Sequence, residues 1–136
     1  MALPNSQTYI LQTLIDGVTF NDAMTNYISG AIECFPWHHY SLFIAARSAG
    51  VDGHFLTIDI EFSPDDGATW YKYAGSVNDR GSYSVFTISN SDASDRLLKC
   101  IVGEWSATNQ FRLNVTATNT TARKTFVLTV KAQFWR

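Results

Sequence analysis

The chain has 136 residues, of which 46% are hydrophobic and only 16% charged, with a formal net charge of −2. That is one domain of chain, long enough to bury roughly two-thirds of its unfolded surface without a disulfide or a metal. Its ten Lys and Arg residues are scattered, which argues against the basic patch that nucleic-acid binding needs, and no stretch approaches the ~20 apolar residues of a membrane helix.

Residues 1–6 read as a flexible N-terminal arm of a single domain spanning 1–136. The opening MALPNSQTYILQ lacks the basic region and apolar core of a signal peptide, so none is expected. The sequons at Asn114 and Asn119 then read as accidents of a Thr-rich sequence. Tyr9 to Leu14 alternates as a first strand. Asp16 to Asn26, with Gly17, Asn21 and Asp22, reads as a long loop or weak strand. Ile28 to Cys34 is a second short strand, stopped at Phe35-Pro36-Trp37 because Pro cannot donate to a ladder. Tyr40 to Arg47 is apolar on both faces, which predicts a central strand covered on both sides.

His54 to Tyr73, HFLTIDIEFSPDDGATWYKY, is the best-defined stretch. Leu56, Ile58, Ile60 and Phe62 alternate with Thr57, Asp59 and Glu61, the period of a half-buried strand. The turn that follows has a mechanism: Pro64 fixes φ, Asp65 and Asp66 can cap N–H groups, and Gly67 can take a positive φ. Ser63, Asp65, Gly67, Thr69 and Trp70 match S-x-D-x-G-x-T-W, which resembles the Asp-box hairpin of sialidases, other β-propellers and assorted sandwiches. In that hairpin the Ser and Asp hold the turn and the Trp packs beneath it. The motif implies shape and no chemistry.

Further along, Tyr83 to Ile88 reads as strand and Ser89 to Asp95 as a polar loop. Arg96 to Trp105 is a strand with Leu98, Cys100 and Val102 on one face. Gln110 to Thr118 places Phe111, Leu113, Val115 and Ala117 inward. Thr125 to Trp135 closes the chain with Phe126, Leu128, Val130, Ala132 and Phe134 on one face. About eight to nine strands with turn signals between them and no helical period indicate an all-β fold, a single-domain antiparallel β-sandwich with the jelly roll as one form. A propeller would need repeats, and the turn motif occurs once.

Catalytic patterns are absent. His38 and His39 are adjacent and would face opposite ways on a strand. His39, His54 and a carboxylate could hold a metal, but a structural role explains them more simply. Asp59 and Glu61 read as a solvated strand face before they read as a glycosidase pair or a Ca²⁺ site. No G-x-S-x-G, Cys–base set or Gly-rich phosphate loop occurs. No enzyme activity, metal or cofactor is expected. Cys34 and Cys100 read as two buried free thiols. Tyr73, Trp105 and Trp135 could form a sugar-stacking platform, the basis of an alternative reading as a carbohydrate-binding module with a glycan partner.

The order of features resembles that of short virion proteins of tailed bacteriophages. The matching segments are LQTLIDGV at Leu11–Val18, WHHYSLFIAARSAG at Trp37–Gly50, LTIDIEFSPDDGATW at Leu56–Trp70 and the Arg96–Val102 strand. The resemblance implies a non-catalytic capsid-surface component of decoration type, found in the virion after synthesis in the host cytoplasm. Its partners would be the major capsid protein or other virion proteins. A homo-oligomer, with a trimer favoured, is the expected assembly. Leu3, Pro4, Phe134 and Trp135 are the candidate contacts, because they place apolar surface at the two ends.

Overall fold

The computed structural model describes residues 9–34, 37, 39–51, 53–73, 86–104 and 109–135. Among these there are ten strands: β1 (Tyr9–Phe20), β2 (Asn26–Ile28), β3 (Ile32–Glu33), β4 (His39–Ala49), β5 (Phe55–Ser63), β6 (Tyr71–Lys72), β7 (Phe86–Ser89), β8 (Leu97–Glu104), β9 (Gln110–Thr118) and β10 (Thr125–Trp135). Alternation builds them. In β10, Phe126, Leu128, Val130, Ala132 and Phe134 are buried, and the residues between them face out. β9 buries Phe111, Leu113, Val115 and Ala117 in the same way, and β5 buries Leu56, Ile58 and Ile60. A strand with one apolar face is stable only against a second such face, so two sheets close over a common core.

One sheet has four strands in the order β1-β10-β4-β8; the other runs β2-β9-β5-β6, with β3 also on β9 and β7 also on β5. All pairs are antiparallel. The chain passes from β1 in the first sheet to β2 and β3 in the second, returns for β4, crosses for β5 to β7, and alternates again through β8, β9 and β10. This repeated crossing is the wrapping of a jelly roll. Phe111 sits at the centre of the core, 5.5 Å from the Phe134 ring and 6.3 Å from that of Tyr40.

Several expectations need correcting. The segment from Asp16 onward does not end the first strand: β1 runs on to Phe20. Register shifts between Thr13 and Ile15 and between Ile15 and Val18 absorb it, Gly17 takes φ +60, and its N–H donates to Thr129 Oγ1 at 3.0 Å. The expected second strand is two short pieces, β2 and β3. β4 is interior to its sheet but covered on one face only, for Phe43 on the other face is 40% exposed. Phe134, expected at an interface, is fully buried between the sheets. Of the two thiols, both free, Cys34 is buried and Cys100 exposed. Burial, with the Glu33 charge adding to it, pushes the Cys34 thiol up to about 12. The expected arm at 1–6 and the turn-rich 75–81 lie outside the described residues.

Candidate interaction surface

The outer face of the six-stranded sheet is polar and paired within itself, except that Asp59 Oδ1 is buried without a hydrogen-bond partner. Register places Glu61 opposite Arg112 and Asp59 opposite Asn114. Arg112 Nε donates to Glu61 Oε1 at 2.7 Å, and Asn114 Nδ2 donates to Glu61 Oε2 at 3.1 Å. Asn26 Nδ2 then donates to Asn114 Oδ1 at 2.8 Å. Lys72 Nζ lies 3.4 Å from Asp59 Oδ2. Asp59 and Glu61 are therefore no solvated pair, since Asp59 is 6% exposed and each carboxylate is bound to a cation.

The turn at one end of this sheet is built by two side chains. Ser63 Oγ donates to Asp65 Oδ1 at 2.8 Å and accepts from the Gly67 N–H at 2.8 Å. Asp65 Oδ1 accepts from the Thr69 N–H at 2.9 Å. That bond first, and the Ser63 hydroxyl second, hold the Asp65 carboxyl below its ordinary value. Gly67 has φ +89, and Asp66 beside it takes φ +58. A side chain at Gly67 would also press on Gln110 Oε1. Trp70 is half-buried, with Arg112 Cζ 4.2 Å from its ring centroid. The turn's aromatic thus caps the Arg112–Glu61 pair with a cation–π contact.

The outer face of the four-stranded sheet is of another kind. Lys131 on β10 lies between Thr13 of β1 and Phe43 of β4, and Phe43 lies opposite Cys100 of β8. One row along, Thr129, Ala45 and Leu98 are aligned; on the other side, Leu11, Gln133, Ser41 and Val102. Leu11, Leu98 and Val102 are each more than 60% exposed. Two depressions of about 500 and 430 Å³ share Phe43 and Lys131 and together form a groove across the sheet, from Leu11 to Leu98. Arg96 and Lys131 line it, and Arg47 projects from the same face with Nε on the Asp95 carbonyl at 3.0 Å. Among the described residues no carboxylate pairs with Arg47, Arg96 or Lys131. Lys99, at the groove's end, has its charge felt by the Asp92 carboxylate.

The candidate residues disperse over the molecule. Trp135 lies on the outer face of the four-stranded sheet, half-buried and stacked on His39 at 5.4 Å. Tyr73 lies beside β6, its N–H on the Ile60 carbonyl and its ring 5.6 Å from Phe62. The two belong to different surfaces, so the proposed sugar platform is not assembled from them. Trp105, Leu3 and Pro4 lie outside the described residues. His54 is wholly buried with its ring 5.0 Å from Phe126. Among the described residues no three His, Cys, Asp or Glu side chains group to hold a metal. Sequence reasoning missed Phe43, Leu98 and Lys131 as a surface. The signal was there in the two-sided apolar pattern of β4 and β8.

No family model and no curated protein matches the chain. Among solved structures, a chain of infectious bursal disease virus, Gt strain, aligns over 93% of this chain and 31% of its own, with 13% identity and a TM-score of 0.52. TmCBM61, solved in complex with beta-1,4-galactotriose, aligns over 97% of this chain and 85% of its own, with 10% identity and the same TM-score of 0.52. The chain spans about a third of the length of the virus chain it matches. At such identities the likeness establishes a fold: the β-sandwich that a virus chain and a galactotriose-bound protein both use.

Proposed function

We propose that this chain is a non-catalytic structural protein of a virus particle, a capsid-surface component of decoration type from a tailed bacteriophage. It acts by protein–protein contact through the outer face of its four-stranded sheet. The observation that carries this reading is the concentration of exposed apolar side chains there: Leu11, Phe43, Leu98, Val102 and Val127. Contiguous exposed apolar surface on a small domain marks a contact site, because leaving it in water is unfavourable by roughly 25 cal/mol per Å². The ties of Asp59 to Lys72 and of Glu61 to Arg112 support a contact role for this chain over a catalytic one. Self-association into a ring of three belongs to the same reading and would use other surfaces, which sedimentation at micromolar concentration would detect.

The test is mass spectrometry of purified virions with this chain's gene intact and deleted. The reading requires the chain in the particle at a stoichiometry set by the lattice, and its absence overturns it. The carbohydrate-binding alternative is tested on a glycan array, where micromolar binding abolished by Trp135→Ala would replace the virion reading.

A further inference from the structure

We infer that the groove on the four-stranded sheet is a docking site for an extended, acidic and apolar segment of a different protein. This rests on reading that face as a contact surface, and not on the partner being a virion chain. Three observations choose the occupant.

The first is charge. The groove's floor is apolar, with Phe43, Ala45 and Leu98, while Arg96 and Lys131 line it and Arg47 stands on the same face. These three cations have no carboxylate partner among the described residues, whereas Lys72 and Arg112 on the opposite sheet are both ion-paired. A partner whose extended segment presents apolar and acidic side chains on the same face, two residues apart, would fill the floor and meet the cations at once. A second copy bound face to face would instead bring Lys131 towards its counterpart, so charge disfavours self-pairing here.

The second is the strand edge. β8 ends the sheet, and no strand among the described residues pairs with its outer side. It is a regular eight-residue edge. The other edge, β1, is broken by two register shifts of the kind that blunt edges against pairing. An extended segment can therefore add to β8 by main-chain hydrogen bonds while its alternate side chains lie beside Leu98, Cys100 and Val102 on the outer face.

The third is shape. The groove runs across the sheet and continues to that edge through Leu98 and Cys100, which both line it and belong to β8. A segment added along β8 borders the apolar floor where the groove reaches that edge.

Cys100 supplies a site-specific readout, being exposed in the groove while Cys34 is buried. The experiment pans a random twelve-residue peptide library on the full chain, synthesises the enriched peptides, and measures the rate at which a maleimide labels Cys100 with each peptide present. The expected result is enrichment of sequences that carry Asp or Glu two residues from Leu, Ile, Val or Phe, so that both fall on one face of an extended segment. At saturation these slow Cys100 labelling at least tenfold, and Lys131→Glu weakens their binding at least tenfold. Leu98→Asp serves as the second variant and should weaken it similarly while leaving the thermal midpoint of this exposed position nearly unchanged. Enriched peptides that are basic or neutral, or that leave the labelling rate alone, overturn the inference. So do binding to phosphatidylglycerol vesicles that Lys131→Glu abolishes, which would make the face a membrane contact, and a dimer in sedimentation that Leu98→Asp dissolves. Peptide binding by a chain missing from virions would separate this inference from the virion reading, leaving the former standing alone.

Discussion

The two sheets of the sandwich share a core and differ on their outer faces. Outside the six-stranded sheet, each cation finds an anion: Arg112 has Glu61 at 2.7 Å and Lys72 has Asp59 at 3.4 Å, with Asn114 and Asn26 extending the network. Outside the four-stranded sheet, Phe43, Leu98 and Val102 face water, and Arg47, Arg96 and Lys131 have no carboxylate among the described residues. The first face pairs its charges within itself, with Asp59 Oδ1 alone buried and unpartnered among the atoms described there. The second is left incomplete, which costs little in folding and gains only on binding. Function in this molecule is to be sought where the surface is unsatisfied.

This contrast can be sharpened by substitution. The largest effect belongs to neither outer face but to the core they share: Phe134→Ala should cost about 3–5 kcal/mol, as deletions of fully buried rings do. A denaturant midpoint that barely moves would show that the ring packs elsewhere. Next come the groups of the satisfied face. Glu61→Ala leaves a partly buried Arg112 and Asn114 without their acceptor and should cost about 1–3 kcal/mol. Trp70→Ala, which removes a half-buried ring from Arg112, should cost about 2 kcal/mol, below the cost at a wholly buried site. A double-mutant cycle in urea between Trp70→Ala and Arg112→Ala should show coupling, and strict additivity would break the picture of a capped ion pair.

A smaller, pH-dependent effect is expected at the turn. The Asp65 carboxyl is held below its ordinary value of 3.8, chiefly by the Thr69 N–H and then by the Ser63 hydroxyl. A lowered folded pKa means that the stabilisation is complete above 3.8 and is lost as pH falls through the folded value. The stability gap between the wild-type chain and Asp65→Asn should therefore be constant at neutral pH and narrow in acid; a gap that widens below pH ~4 would contradict the bonding at the turn. Smallest of all are changes on the unsatisfied face. Leu98→Ser should shift stability by no more than about 0.5 kcal/mol, because a side chain 63% exposed gains little from folding. A loss comparable to that of Phe134→Ala would mean that the face is already covered within the chain.

Inner faces were legible because burial imposes period two and nothing else competes with it. The alternations in β5, β9 and β10 required no knowledge of neighbours. The turn was legible too, since Ser63, Asp65 and Gly67 bond within one short segment. What a strand's second face meets was not legible. The apolar residues on both sides of β4 predict a doubly covered strand, yet Phe43 is exposed; an apolar face looks the same in sequence whether it is buried by this chain or reserved for another. Ion pairing across β5 and β9 depends on a register that only the fold supplies. Phe134 and Trp135 are neighbours in sequence with opposite fates, because one step along a strand reverses the face.

The most direct test of the central claim, that the outer face of the four-stranded sheet is where this chain makes its contacts, is maleimide labelling of Cys100 in purified virions against the free chain. Cys100 lies exposed in the groove and Cys34 is buried, so a single thiol reports. The account predicts fast labelling of the free chain and at least tenfold slower labelling in the particle, restored when the particle is dissociated. Labelling of particle-bound chain at the free-chain rate would contradict it.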